Sequence, residues 1–83
     1  MTYKEVAIEI IAEAKTAEER YGPFASSHEA IGVLLEEFDE LREAIRGNRL
    51  APIRREAIQV SAVALRLAHC CRNHPDFEAR SMP

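Results

Sequence analysis

Three stretches of this chain place apolar residues at steps of three and four, and nowhere does a run of β-branched residues alternate with polar ones. A strand buries every second side chain, whereas a helix buries one stripe that returns every 3.6 residues. The pattern therefore leaves helices as the expected elements, and the expected fold class is all-α. Val6, Ile10, Ala14, Ala17 and Tyr21 form a first stripe, and Ile31, Leu34, Phe38, Leu41 and Ile45 a second. Val60, Val63, Ala64, Leu67 and Cys71 form a third, with Ile58, Ala62 and Leu65 on the opposite side of the same segment. A helix that is apolar on two sides calls for two partners. One is expected from this chain and the other from a second subunit.

Local signals set the boundaries. Thr2 followed by Glu5 has capping-box spacing, and Gly22–Pro23 is a stop, so the first helix is expected from Tyr3 to about Arg20. Ser26 and Glu29 repeat the box after "PFASS", and Gly47–Asn48 closes the second helix. Pro52 suits the first turn of a third helix that runs to about Asn73, before Pro75. The expected organisation is a single helical domain over 1–75 with a loose tail over 76–83. With 83 residues, such a domain buries only roughly 60–65% of its unfolded surface. A three-helix unit completed as a bundle in a homodimer or homotetramer is the natural remedy.

Charge narrows the partners. The formal net charge is −3, and no cluster of Lys and Arg suits a phosphate backbone, so nucleic acid is not the expected partner. No window approaches the ~18 consecutive apolar residues of a membrane span. Acids interrupt the apolar run of "MTYKEVAIEI", unlike a signal peptide, and the two cysteines, Cys70 and Cys71, are adjacent, a poor arrangement for a mutual disulfide. A cytoplasmic protein with free thiols is the expectation.

The acids then demand an account. "LLEEFDEL" places Glu36, Glu37, Asp39 and Glu40 within one and a half helical turns. Helical spacing puts Glu37 at the edge of the apolar stripe and Glu40 one turn further on. Glu56 falls inside the stripe of the third helix, ahead of Val60, Val63 and Leu67, with Gln59 beside it. A carboxylate among aliphatic side chains is costly unless a cation or several donors meet it. If the two stripes pack together, Glu37 and Glu40 face Glu56 and Gln59. Carboxylates ~6 Å apart repel by on the order of 3 kcal/mol per pair at an effective dielectric of ~20. A divalent cation reverses that sign, and oxygen ligands with open positions suit Mg²⁺. The plainer reading is a solvated acidic face paired with Arg42, Arg46, Arg54 and Arg55, with Glu56 neutralised by Arg66 or Arg20.

"EEFDE", followed across the turn by "EAIQ", resembles the MazG-like nucleoside triphosphate pyrophosphohydrolases, whose signature is EExxE, a variable gap and ExxD. The likeness extends through "HEAIGVLLEEFDELREAI" and "REAIQVSAVALRLA", roughly Ser26 to Cys71. It implies an all-α, oligomeric enzyme that hydrolyses a (d)NTP to the monophosphate and pyrophosphate with Mg²⁺. Carried over by position, Glu37, Glu40 and Glu56 are the implied metal ligands, and Glu36 is the leading acid, orienting water or a ligand. Gln59 stands where the family has Asp; its carbonyl can coordinate a hard cation but brings no charge. The rival expectation is a catalytically silent helical module for dimerisation or partner docking.

Other motifs carry less. "HCCRNH" mixes zinc-friendly side chains in no familiar zinc spacing, and core-facing thiols near a helix end are expected there. His28 opens the second helix, where a phosphate or base contact competes with a plain surface role. Arg54 and Arg55 are expected to pair with acids of the second helix. No Ser–His–Asp arrangement, Gly-rich phosphate loop or basic recognition helix is present in the sequence.

Overall fold

A computed structural model describes residues 1–73 and 77 of the chain. Three helices follow one another: α1 (Tyr3–Tyr21), α2 (Ser27–Gly47) and α3 (Leu50–Asn73). No strand occurs among the described residues. No helix among them is long and apolar enough to cross a membrane. Of the tail expected over 76–83, Phe77 alone is described, and it packs against the core.

The caps form as local chemistry dictates. The Thr2 hydroxyl accepts from the Glu5 N–H at 3.1 Å, and the Glu5 carboxylate accepts from the Thr2 N–H at 3.0 Å, completing the box. At α2 the box is shifted by one residue. The Ser26 hydroxyl accepts from the Glu29 N–H at 3.2 Å, but the Glu29 carboxylate reaches back to the Ala25 N–H at 3.1 Å. Gly22 ends α1 with φ of +77°, a region closed to most side chains. α2 runs through Gly47, and Asn48 takes the left-handed position with φ of +55°. Asn is the residue other than Gly that tolerates it best. α3 begins two residues before Pro52, which still lies in the first turn, where its missing N–H has no helical partner to lose.

α3 is the middle element. It packs against α2 on one side and α1 on the other, and α1 and α2 do not pack against each other. This chain therefore supplies a partner on each side of α3, although Leu65 stays 39% exposed. The core cluster is Phe24, Ala30, Val63 and Cys70, joined by Val33, Leu34, Leu67 and Phe77. Arg54 on α3 bonds to Glu9 on α1, tying those two helices together. This corrects the expectation that it would pair with an acid of α2.

Two further details depart from the sequence reading. Cys70 is fully buried, but Cys71 is exposed, so only one thiol faces the core. Tyr21 is 72% exposed and drops out of the α1 stripe, because α1 ends beside it. His74, the second half of the possible pair with Cys70, lies outside the described residues.

Candidate metal centre

The α2 face that meets α3 is not the one centred on Leu34 and Phe38. Ala30 is buried and Val33, Leu34, Glu37, Leu41 and Ala44 are half-buried, whereas Ile31, Leu35, Phe38 and Ile45 lie 48–55% exposed. The helix is rolled so that Glu37 points into the seam instead of along its edge. Small residues at 30 and 44 let α2 approach α3 on that side, and the bulky Phe38 stays outside.

This roll brings the acids together. One carboxylate oxygen each from Glu37, Glu40 and Glu56 lies within 4.8 Å of the other two. Two turns of α2 supply the first pair and the first half of α3 supplies the third. Glu40 is exposed, while Glu37 and Glu56 are half-buried, so the cluster is open to solvent on one side. Glu37 Oε2 and Glu56 Oε2 are both buried with no hydrogen-bond partner. Arg55 Nε approaches Glu56 Oε1 at 3.8 Å, an outer-limit ion pair from a side chain 65% exposed. Arg20 and Arg66 make no ion pair with Glu56. The two arginines of α2 are taken up elsewhere: Arg42 by Asp39 at 3.3 Å and Arg46 by Glu43 at 3.2 Å.

Electrostatics registers the crowding. The Glu37 carboxyl is pushed above the ordinary glutamate range, first by burial and then by the nearby charges of Glu40 and Glu56. Glu56 is pushed up as well, first by burial and then by Glu40, with Arg55 opposing. Three hard-oxygen groups, two with orphaned buried oxygens, fit a small divalent cation in donor type and charge. A soft or nitrogen-preferring metal would find no thiolate or imidazole among these three groups.

Glu36 does not join the trio, and it and Gln59 border a neighbouring space. Both line a cavity of about 550 Å³ that also touches Glu37. It opens between α1 and α2 with α3 as its floor, and Glu13, Arg20, Tyr21, Phe24 and Arg66 reach into its wall. Glu36 is exposed and does not converge with the three acids. His28 is exposed in the first turn of α2 and is not part of the cavity wall. The cavity was not foreseen in the sequence; Arg66 is buried, as a buried pair with Glu56 would require, but it stacks on Phe24 instead of meeting that carboxylate. An arginine midway through an apolar helix is the one signal that could have found the cavity.

No family model matches the chain, and neither curated proteins nor solved structures show a significant similarity to it.

Proposed function

We propose that the chain is a Mg²⁺-dependent hydrolase of nucleoside triphosphates, of the MazG-like kind, releasing the monophosphate and pyrophosphate. One observation carries this reading: carboxylates from two helices converge beside a ligand-sized cavity, with two oxygens buried and unpartnered. Folding a chain around that arrangement is costly, and side chains with no function to serve would be expected to splay or pair. Glu37, Glu40 and Glu56 would hold the ion. Bound there, Mg²⁺ would neutralise charge on the triphosphate and lower the pKa of a coordinated water.

The remaining work falls to the chain. Glu36, exposed on the cavity wall beside Glu37, would orient the attacking water or the ligand. Gln59 offers a neutral amide to the same wall, orienting a ligand by hydrogen bonding or lending a weak carbonyl donor to the cation. α3 holds Glu56, Gln59 and the cavity floor on one rigid element, which favours fixed geometry over a loop-built site.

A second reading rests on the exposed α2 face. Ile31, Leu35, Phe38 and Ile45 form an apolar strip on the outer side of the helix. A non-catalytic module that pairs through this strip would also explain Gln59 in place of an acid. The strip equally suits the homodimer expected of an active enzyme, so it does not weigh against catalysis. Pyrophosphate release, measured over a panel of ribo- and deoxynucleoside triphosphates with Mg²⁺, separates the two. Turnover with at least one nucleotide supports the hydrolase. Silence with all of them, together with no thermal shift from Mg²⁺ or Mn²⁺, supports the silent module.

A further inference from the structure

Among the described residues one ion pair reaches the carboxylate trio, and it comes from Arg55. Arg55 Nε approaches Glu56 Oε1 at 3.8 Å, beyond hydrogen-bond length, from a side chain 65% exposed. An ion pair so long and so open to water holds its partners weakly. The neighbouring arginines are committed. Arg54 is held by Glu9, Arg42 by Asp39 and Arg46 by Glu43, and Arg66 lies over the Phe24 ring. Arg55 is therefore the loosely held cation beside the proposed metal ligands.

Its place on α3 adds direction. Arg55, Gln59, Ala62 and Arg66 recur at steps of four, three and four, so they share one face of the helix. The last three line the cavity that Glu36 and Glu37 also line. Arg55 carries the same stripe one turn past Gln59, next to Glu56, on the side where the cavity adjoins the trio. Charge there is one-sided. Glu36 and Glu37 border the cavity, and Glu40 and Glu56 complete the trio. The two basic residues of the cavity wall, Arg20 and Arg66, sit over the rings of Tyr21 and Phe24. A polyanion entering this setting meets repulsion that a divalent cation offsets only in part, and a nearby guanidinium offsets more of it.

Resting on the hydrolase reading above, we infer that Arg55 is a phosphate-positioning residue of the same site. Its guanidinium leaves Glu56 when that carboxylate serves as a metal ligand, and donates instead to oxygens of the phosphate chain. A planar fork of N–H donors matches phosphate oxygens, and a long exposed stem can turn without disturbing the core. The competing account is that Arg55 only screens the charge of Glu56 and touches no ligand.

Binding decides between them without turnover. Inorganic triphosphate is titrated by calorimetry, at saturating Mn²⁺, into wild type, Arg55→Gln and Arg54→Gln, and Mn²⁺ alone is titrated into the same three proteins. Arg54→Gln removes an equal charge one residue away, from a guanidinium that Glu9 already holds. Arg55→Gln should weaken triphosphate binding by about tenfold or more, the loss expected of a charge-assisted hydrogen bond. Its affinity for Mn²⁺ alone should stay the same or rise, because a competing cation is gone. Arg54→Gln should leave triphosphate affinity within about twofold of wild type, since an exposed charge acts weakly at a distance. Unchanged triphosphate binding in Arg55→Gln would reduce Arg55 to a screen for Glu56. Equal weakening in Arg54→Gln would reduce the effect to net charge, and weaker Mn²⁺ binding in Arg55→Gln would make Arg55 a support for Glu56. Each of these overturns the inference, as does a wild type that binds Mn²⁺ but no triphosphate.

Hydrolysis separates this inference from the reading beneath it. A wild type that binds Mn²⁺ and triphosphate yet hydrolyses no nucleotide sinks the hydrolase reading, and the binding comparison still judges Arg55. Where turnover occurs, Arg55→Gln should raise KM for the nucleotide by about tenfold. Turnover with KM unchanged in that variant overturns the role of Arg55 alone. A wild type that binds no Mn²⁺ overturns both.

Discussion

The seam between α2 and α3 has two ends built on opposite principles. Near the start of α2, Ala30 meets Val63 and Cys70 under the cover of Phe24, and the residues are almost fully removed from solvent. Further along the same two helices, Glu37, Glu40 and Glu56 meet instead, with buried oxygens that no donor satisfies. The first end gains free energy when water leaves. The second loses it, unless something cationic enters. One helix pair thus carries its own stabilising end and its own cost, and it is the costly end that the proposed cation would relieve.

That contrast can be broken at either end. The largest effect on stability is expected from Phe24→Ala, which removes the lid of the apolar end. It should cost about 3–4 kcal/mol, a large share of the total for so small a domain, as read by urea denaturation. At the other end Glu37→Gln should act in the opposite sense on the two properties. Hydrolysis should fall by at least about a hundredfold, while the metal-free protein melts at a higher temperature at pH 8 because a repelling charge is gone. If both substitutions simply destabilise, the two ends do not differ in the way described.

A pH series sharpens the same point. Glu37 and Glu56 titrate above their ordinary value when folded. A raised carboxyl pKa means the folded state holds its proton more tightly than the unfolded chain. That contribution to stability is complete in acid, below the unfolded pKa, and is lost as pH rises through the folded pKa. The metal-free protein should therefore lose melting temperature from roughly pH 5 upward, and saturating Mg²⁺ should restore it most at the alkaline end. Glu37→Gln should flatten that dependence.

Much of the fold is legible in the sequence, because helix ends are local events. Thr2, Ser26, Gly22 and Asn48 act within a few residues of themselves, and the boundaries they imply are within about two residues of those observed. The convergence of Glu37, Glu40 and Glu56 is legible too, since a short turn forces α2 and α3 into contact and spacing fixes which acids share the seam. What spacing does not fix is the roll of α2. Its apolar arc, from Val33 round to Leu35, is wider than one helix can cover, so the choice of buried half depends on the shape of α3. The two partners of α3 were likewise hidden, because an apolar face does not say which chain will cover it. Arg66 was weighed as a buried partner of Glu56, and its actual neighbour was hidden for a related reason: Phe24 arrives from the loop before α2.

Smaller effects test the margins of the comparison. Gln59→Asp adds a charge to the cavity wall beside Glu37 and should tighten Mg²⁺ binding by roughly tenfold if that side chain reaches the ion. No change by calorimetry would leave Gln59 to the ligand alone. Asp39→Ala should change stability by less than about 0.5 kcal/mol, since its bond to Arg42 is exposed on both sides.

The most direct test of the carboxylate end is a search for the ion itself. Crystals soaked in Mn²⁺ and measured at its absorption edge should show one strong anomalous peak among the carboxylates of Glu37, Glu40 and Glu56, absent from Glu56→Gln crystals. Well-ordered carboxylates with no peak at saturating Mn²⁺, or a peak elsewhere that survives Glu56→Gln, would contradict the account.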